Sequence, residues 1–286
     1  MPDTQPIDMV TTEVVASALE SIAEEMGGVL KRSSYSPMIR DMDDFSCAIF
    51  AVDGDLVAQA DYIPAQLGAM SLVVKSVIEQ WGGRVNPGDV FICNHPYMGA
   101  MHLPDVNIIT PVFADGALIG WCGTAAHHID IGGANPGSEG AELQDLFAEG
   151  LTFPPVRLYL GGEENEDLFH VLEQNIRDPR STLSDLRAQR AACELGNQRL
   201  IELFELYGAA TVAEVMRSAV ESAEQGVRNV LRGLPDGEAE AEGFLDDDGR
   251  GGEPTRIHVR VSKTGDTLHI DLSGTSEQVA GAMNVP

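Results

Sequence analysis

The stretch Val106-Asn-Ile-Ile-Thr-Pro-Val-Phe113, Ala114-Asp-Gly116, Ala117-Leu-Ile-Gly-Trp-Cys-Gly-Thr-Ala125 decides how this chain folds. Two apolar runs rich in β-branched and aromatic residues flank an Asp-Gly turn signal, the pattern of an antiparallel hairpin. A turn at Ala114-Asp115-Gly116 sets His102 opposite His128 and Leu103 opposite His127, with Asp105 near Ala125. Paired positions in such a ladder stand about 4.5–5.5 Å apart at Cα. The open end of the hairpin therefore gathers His102-Leu-Pro-Asp105 against His127-His-Ile-Asp130.

Imidazoles and carboxylates that converge on one point suit a divalent ion of the Zn, Mn or Fe kind. Adjacent strand residues face opposite sides of a sheet, so His127 and His128 cannot both ligate one ion. The other is left as a supporting or substrate-facing group. Pro104 interrupts the strand and lets His102 and Asp105 turn toward one point. Surface histidines paired with carboxylates leave the same pattern, and both readings stand at this stage.

Outward from the hairpin, Val15, Leu19, Ile22, Met26 and Leu30 keep the spacing of one helical face and predict a helix over 12–31. Residues 45–60 predict a second hairpin on Asp53-Gly54, 67–81 a helix, and 89–93 a short buried strand. From Asp178 to Arg232 the pattern is helical, with a break at Gly208. The acidic, Gly-containing stretch 234–249 reads as a connection before a last hairpin over 255–272. The fold class expected is α+β, antiparallel hairpins forming a sheet core with a helical middle segment. The expected division is 1–160 for an α+β metal-site domain, 161–235 for a helical segment, and 236–286 for a β-rich region. That last region stops at Asn284-Val-Pro286 soon after it begins, and reads as truncated.

A chain of 286 residues can bury a full core. Its 18 Lys+Arg against 45 Asp+Glu give a net charge of −27, a field that repels nucleic acid and anionic membranes alike. The cysteines Cys47, Cys93, Cys122 and Cys193 form no CxxC pair, and the apolar runs predict reduced, buried thiols. The first residues show no leader pattern, and no apolar run is long enough to span a bilayer, so a cytoplasmic protein is expected. There is no P-loop, and Gly132-Gly133-Ala-Asn-Pro-Gly137 is not a dinucleotide fingerprint.

An ordered string of motifs adds to this reading. It runs through Arg32-Ser-Ser-Tyr-Ser36, Arg40-Asp-Met-Asp-Asp-Phe-Ser-Cys-Ala48, Asn94-His-Pro-Tyr97, His102-Leu-Pro-Asp105 and His127-His-Ile-Asp-Ile-Gly-Gly133. It continues through Pro136-Gly-Ser138, Glu149-Gly150, Asn175-Ile-Arg177, Asp185-Leu-Arg-Ala-Gln189, Leu245-Asp-Asp-Asp-Gly249 and Leu272-Ser-Gly-Thr-Ser276. The string resembles the N-terminal half of hydantoinase B/oxoprolinase proteins. These include N-methylhydantoinase B subunits, the second half of 5-oxoprolinase, lactam hydrolases and subunits of acetone and acetophenone carboxylases.

The resemblance implies an enzyme: a metal-containing B-type subunit of an ATP-dependent cyclic amidase, active only with a hydantoinase A-type ATPase subunit in a hetero-oligomer. The partner would bind ATP and phosphorylate the small-molecule substrate. By this resemblance His102, Asp105 and His127 match the metal positions of the carboxylase branch, Asp130 or Glu149 would serve as general base, and His128 would stand beside them. The alternatives are a subunit of an ATP-dependent ketone carboxylase and a catalytically silent assembly subunit. His95 stands where the family commonly has Asp, Gln66 where it often has His, and Met101 where Thr is usual, departures that bear on the substrate.

Overall fold

The computed structural model describes residues 7–285. Asp8 caps the first helix by accepting from Thr11 N, and α1 (Met9–Ser33) buries Val15, Leu19, Ile22, Met26 and Leu30 along one stripe. The cap explains why α1 starts before residue 12. After the short α2 (Pro37–Arg40), β1 (Phe45–Phe50) and β2 (Leu56–Gln59) form the hairpin expected around Asp53-Gly54. Next come α3 (Pro64–Trp81), β3 (Val90–Cys93), β4 (Asp105–Ala114) and β5 (Ala117–His127). A single turn α4 (Leu146–Glu149) and the strands β6 (Val156–Leu160) and β7 (Glu163–Glu164) precede three helices, α5 (Glu166–Asn175), α6 (Pro179–Tyr207) and α7 (Ala209–Gly233). The described chain ends with β8 (Gly237–Leu245), β9 (Thr255–Thr264) and β10 (Thr267–Asp271).

Seven strands make one sheet in the order β2-β1-β5-β4-β3-β6-β7, every neighbouring pair antiparallel. Helices cover both faces. Phe45, Cys47 and Ile49 of β1 join the core built with α1 and α6, whereas Ala48 and Phe50 join the core under α3. β1 and β3 are buried throughout and β4 nearly so, including Ser46, Asp105, Asn107 and Thr110, because helices cover both faces, which is why these strands show no solvent-facing alternation. The mixed α+β architecture expected from the sequence is the one observed. All four cysteines are free and buried, and burial raises their thiols, Cys93 to about 11 and Cys193 to about 12. Among the described residues no helix is long and apolar enough to cross a membrane.

Residues 237–245, read from sequence as a connection, are the strand β8. Every position of β8 is exposed, so it has no apolar face to betray it. Charge pairing with β9 replaces the apolar signal: Glu242 meets Arg256 and Glu240 meets Arg260. β10 completes this three-stranded sheet.

The register of the central hairpin also corrects an expectation. Asp115 and Gly116 both adopt positive φ, which makes a two-residue turn of the I′ kind with Ala114 facing Ala117. A bulge follows, because Val112 pairs with Gly120 while Phe113 pairs with Leu118. The ladder then brings Asp105, rather than Leu103, opposite His127. His102 lies outside the strand and does not pair with His128.

Gly196 shows how closely α6 lies on the sheet. A Cβ there would stand 2.5 Å from Met26 Sδ and 2.9 Å from Cys122 Sγ. Gly196→Val is therefore expected to lower stability by about 1–3 kcal/mol through overpacking, read as a lower urea midpoint at unchanged m.

Candidate metal centre

Asp105 begins β4 and His127 ends β5, and the two are direct partners across the ladder. The Pro104 turn folds His102 back onto them: Asp105 N donates to His102 O at 3.1 Å, and His128 N donates to Pro104 O at 2.9 Å. His102 Nδ1 stands 2.9 Å from Asp105 Oδ2, and His127 Nδ1 stands 3.5 Å from Asp105 Oδ1. The two imidazole centroids are 5.0 Å apart. One donor atom from each of the three residues lies within 4.8 Å of the others.

Burial alone would raise the Asp105 carboxyl, but the two imidazoles beside it win and hold it at about 2. His102 Nδ1 is buried and makes no hydrogen bond, because its short approach to Asp105 is misaligned. A buried nitrogen left without a bond beside a buried carboxylate fits a donor reserved for a cation. Two imidazoles and one carboxylate are a donor set that could hold a divalent ion.

Two supporting residues were not placed here by the sequence reading. Gln66, from the first turn of α3, donates Nε2 to Asp105 Oδ1 and to Asp44 Oδ1, both at 3.2 Å, and its Oε1 is buried without a partner. Asp44 accepts the backbone N–H of His127 at 3.0 Å and brings Oδ2 to 4.0 Å from His127 Nδ1. The available signal was the acidic run ending at Asp44, one residue before a strand that pairs with β5. His102 Nε2 also reaches Glu139 Oε1 at 3.3 Å. Met101 lines the neighbouring cavity, and His95 accepts from Tyr97 N at 3.2 Å on the same loop.

His128 points to the opposite face. It is fully buried, with Nε2 2.9 Å from Gln189 Oε1, and Gln189 in turn donates to Val106 O at 2.9 Å. Burial lowers the His128 imidazole, favouring the neutral ring. Asp130 is buried too. Its carboxylate accepts from Gly132 N at 3.0 Å, Gly137 N at 3.1 Å, Arg177 N at 3.1 Å and Arg177 Nη1 at 3.0 Å. These donors override burial and hold its carboxyl below the usual range. Glu149, by contrast, faces two cavities of about 210 and 330 Å3 that it shares with His102. Burial raises its carboxyl. Gly133, at φ 83°, packs on the α4 turn that carries it, where a Cβ would meet Ala148 O at 2.6 Å.

The profile of the hydantoinase B/oxoprolinase family matches residues 8–286. The chain belongs to the hydantoinase B/oxoprolinase family. This hydantoinase B/oxoprolinase chain is 40% identical over 294 residues to a B-type component of a D-/L-hydantoinase from Pseudomonas sp. (strain NS671), covering 99% of itself and 50% of that relative. It superposes on the ATP-dependent caprolactamase of Pseudomonas jessenii with a TM-score of 0.92 at 32% identity, covering 98% of itself and 48% of that chain. Acetone carboxylase shares the fold, with a TM-score of 0.90 at 22% identity, over 96% of this chain and 38% of that one. The chain thus spans about half the length, or less, of these relatives.

Proposed function

We propose that this chain is the metal-carrying, B-type part of an ATP-dependent hydrolase that opens cyclic amides, working in the cytoplasm with a hydantoinase A-type ATPase subunit. The observation that carries the reading is the convergence of His102, Asp105 and His127 at the edge of a cavity walled by Glu149. The hydantoinase and caprolactamase relatives support the reaction class. His102, Asp105 and His127 would hold a divalent ion (Zn, Mn or Fe), which when bound supplies a Lewis acid for the ring carbonyl oxygen.

The protein's own groups do the rest. Gln66 fixes the Asp105 carboxylate by hydrogen bonding, and Asp44 fixes the His127 backbone. Glu149 takes a proton from the attacking water, and its raised carboxyl moves it toward the pH at which such a base works best. Asp130 acts as a positioning residue for the glycine-rich loop, because four donors already occupy its oxygens. His128 and Gln189 pin the end of β5 from behind.

The test is ATP-dependent ring opening by the purified chain with its ATPase partner, assayed on hydantoins, lactams and 5-oxoproline alongside metal analysis. Ring opening that requires the bound divalent ion supports the reading; bicarbonate-dependent consumption of a ketone instead overturns it. In the same assembly, Glu149→Gln is expected to lower turnover about 10²–10⁴-fold with metal content unchanged. Undiminished turnover would move the base elsewhere.

A further inference from the structure

The cavity beside His102 has a wall that the seven-stranded sheet does not supply. Gln278, Gly281, Ala282, Asn284 and Val285 line the cavity of about 210 Å3 together with His102 and Glu149, and Ala282 and Met283 close the adjoining one of about 330 Å3. The loop is internally tied. Asn284 Oδ1 accepts from Val279 N at 2.9 Å, while its Nδ2 donates to Val279 O at 3.0 Å and Gly281 O at 2.8 Å.

Two glycines seat this loop over the centre. Gly281 is buried against the Asp248 carbonyl, too close for any side chain. Gly249, at φ 84°, rests on Ala141, where a Cβ would meet the carbonyl oxygen at 2.6 Å. Loop 139–145, the turn between β8 and β9, and loop 278–285 are therefore stacked on one another. The exposed three-stranded sheet acquires a purpose: it carries the last loop to the site.

Carboxylates outnumber basic groups on these walls, where His102 is the one imidazole among the described residues. Asp145 and Glu149 face the first cavity, and Glu139 and Glu149 face the second. Among the described residues no Lys or Arg lines either one. Arg250 lies against the Gln144 carboxamide but lines neither cavity itself. Neutral hydrogen-bonding groups are present instead, in the amides of Gln144 and Gln278, and Asn284 holds the loop that presents Gln278. A carboxylate on a ligand would meet Glu139, Asp145 and Glu149, which together with Asp105 outnumber the two charges of an ion held at the centre, whereas a ring amide would find donors and acceptors. The first cavity is also smaller than the roughly 300–1,000 Å3 that suits drug-sized ligands.

We propose that loop 278–285 is the substrate-selecting wall of this centre, and that the cavity admits uncharged cyclic amides and imides while rejecting rings that bear a carboxylate. The proposal rests on the reading of the centre given under Proposed function.

Calorimetric titration of the metal-loaded assembly with its ATPase partner tests it, using matched rings: 2-pyrrolidone against 5-oxoproline, and hydantoin against hydantoin-5-acetic acid. The neutral ring is expected to bind at least about 10-fold more tightly than its carboxylate twin, corresponding to about 1.4 kcal/mol. Asp145→Asn should narrow the gap, since asparagine keeps the α4 cap to Ala148 N but drops the charge. Asn284→Ala should weaken the neutral ring about 10-fold with metal content unchanged. Gln278→Ala removes a wall amide without touching the ties made by Asn284, and serves if the first variant does not fold. Equal or tighter binding of the carboxylate rings at full metal occupancy overturns the proposal and leaves the centre intact. Unchanged affinity in both loop variants overturns the loop as the wall. An assembly that retains no metal overturns the reading of the centre, and this proposal with it.

Discussion

If the proposed centre holds a divalent ion, asparagine in place of Asp105 is expected to strip it and abolish the proposed turnover together while leaving the fold in place. Asp105 is the only carboxylate among the three converging donors, and its depressed carboxyl keeps it ionised throughout the neutral range. Asparagine keeps the shape and can still accept from Gln66, but it carries no charge to offset a dication. Supporting residues around metal sites typically cost about 10–100-fold in affinity when changed, and loss of a direct ligand should exceed that. His127→Ala should behave the same way. His128→Ala should keep its metal, because that side chain lies on the face toward α6. Metal content after dialysis, circular dichroism and turnover in the proposed assembly with an ATPase subunit check all three. A His128→Ala protein without metal beside a His127→Ala protein with it would shift the ligand assignment by one residue.

Asp130→Ala is expected to cost about 2–4 kcal/mol, somewhat less than breaking a fully buried pair because Arg177 keeps 40% of its side-chain surface exposed. The loss strands the N–H groups of Gly132, Gly137 and Arg177 and the Arg177 guanidinium, so the loop that carries Gly133 against α4 loses its anchor. The sign with pH follows from the lowered carboxyl. Its stabilisation is complete above the ordinary carboxylate range, about pH 4, and fades as pH falls through the depressed native value. Urea midpoints at pH 7 and pH 3 should therefore differ less in Asp130→Ala than in the parent protein. An equal acid sensitivity would show that another group dominates.

The sequence revealed most where its signals were local. Asp115-Gly116 marks the central hairpin, the three-and-four spacing marks α1, α3, α6 and α7, and the histidine pairs mark the centre. Pairing between strands distant in sequence left no such mark. Asp44 reaches the site only because β1 lies beside β5, with Phe45 facing Ala126. β6 and α5 are short and only partly apolar, and β8 has charged pairs in place of a buried face. Asp130 and Glu149 looked alike in sequence. Arg177, 47 residues beyond Asp130 in the chain, separates them by occupying the Asp130 carboxylate.

The bulge between Val112 and Phe113 has a geometric consequence for the centre itself. The two-residue turn, continued without interruption, would set Asp105 opposite Ala126 and Pro104 opposite His127. Residues directly opposed share a face and their chain neighbours point the other way, so Asp105 and His127 would then stand back to back across the sheet. One extra residue, Ile119 on β5, changes the phase of the ladder and turns both toward α3. The centre thus depends on a residue that is not a ligand, several strand positions away, whose contribution is a count rather than a contact.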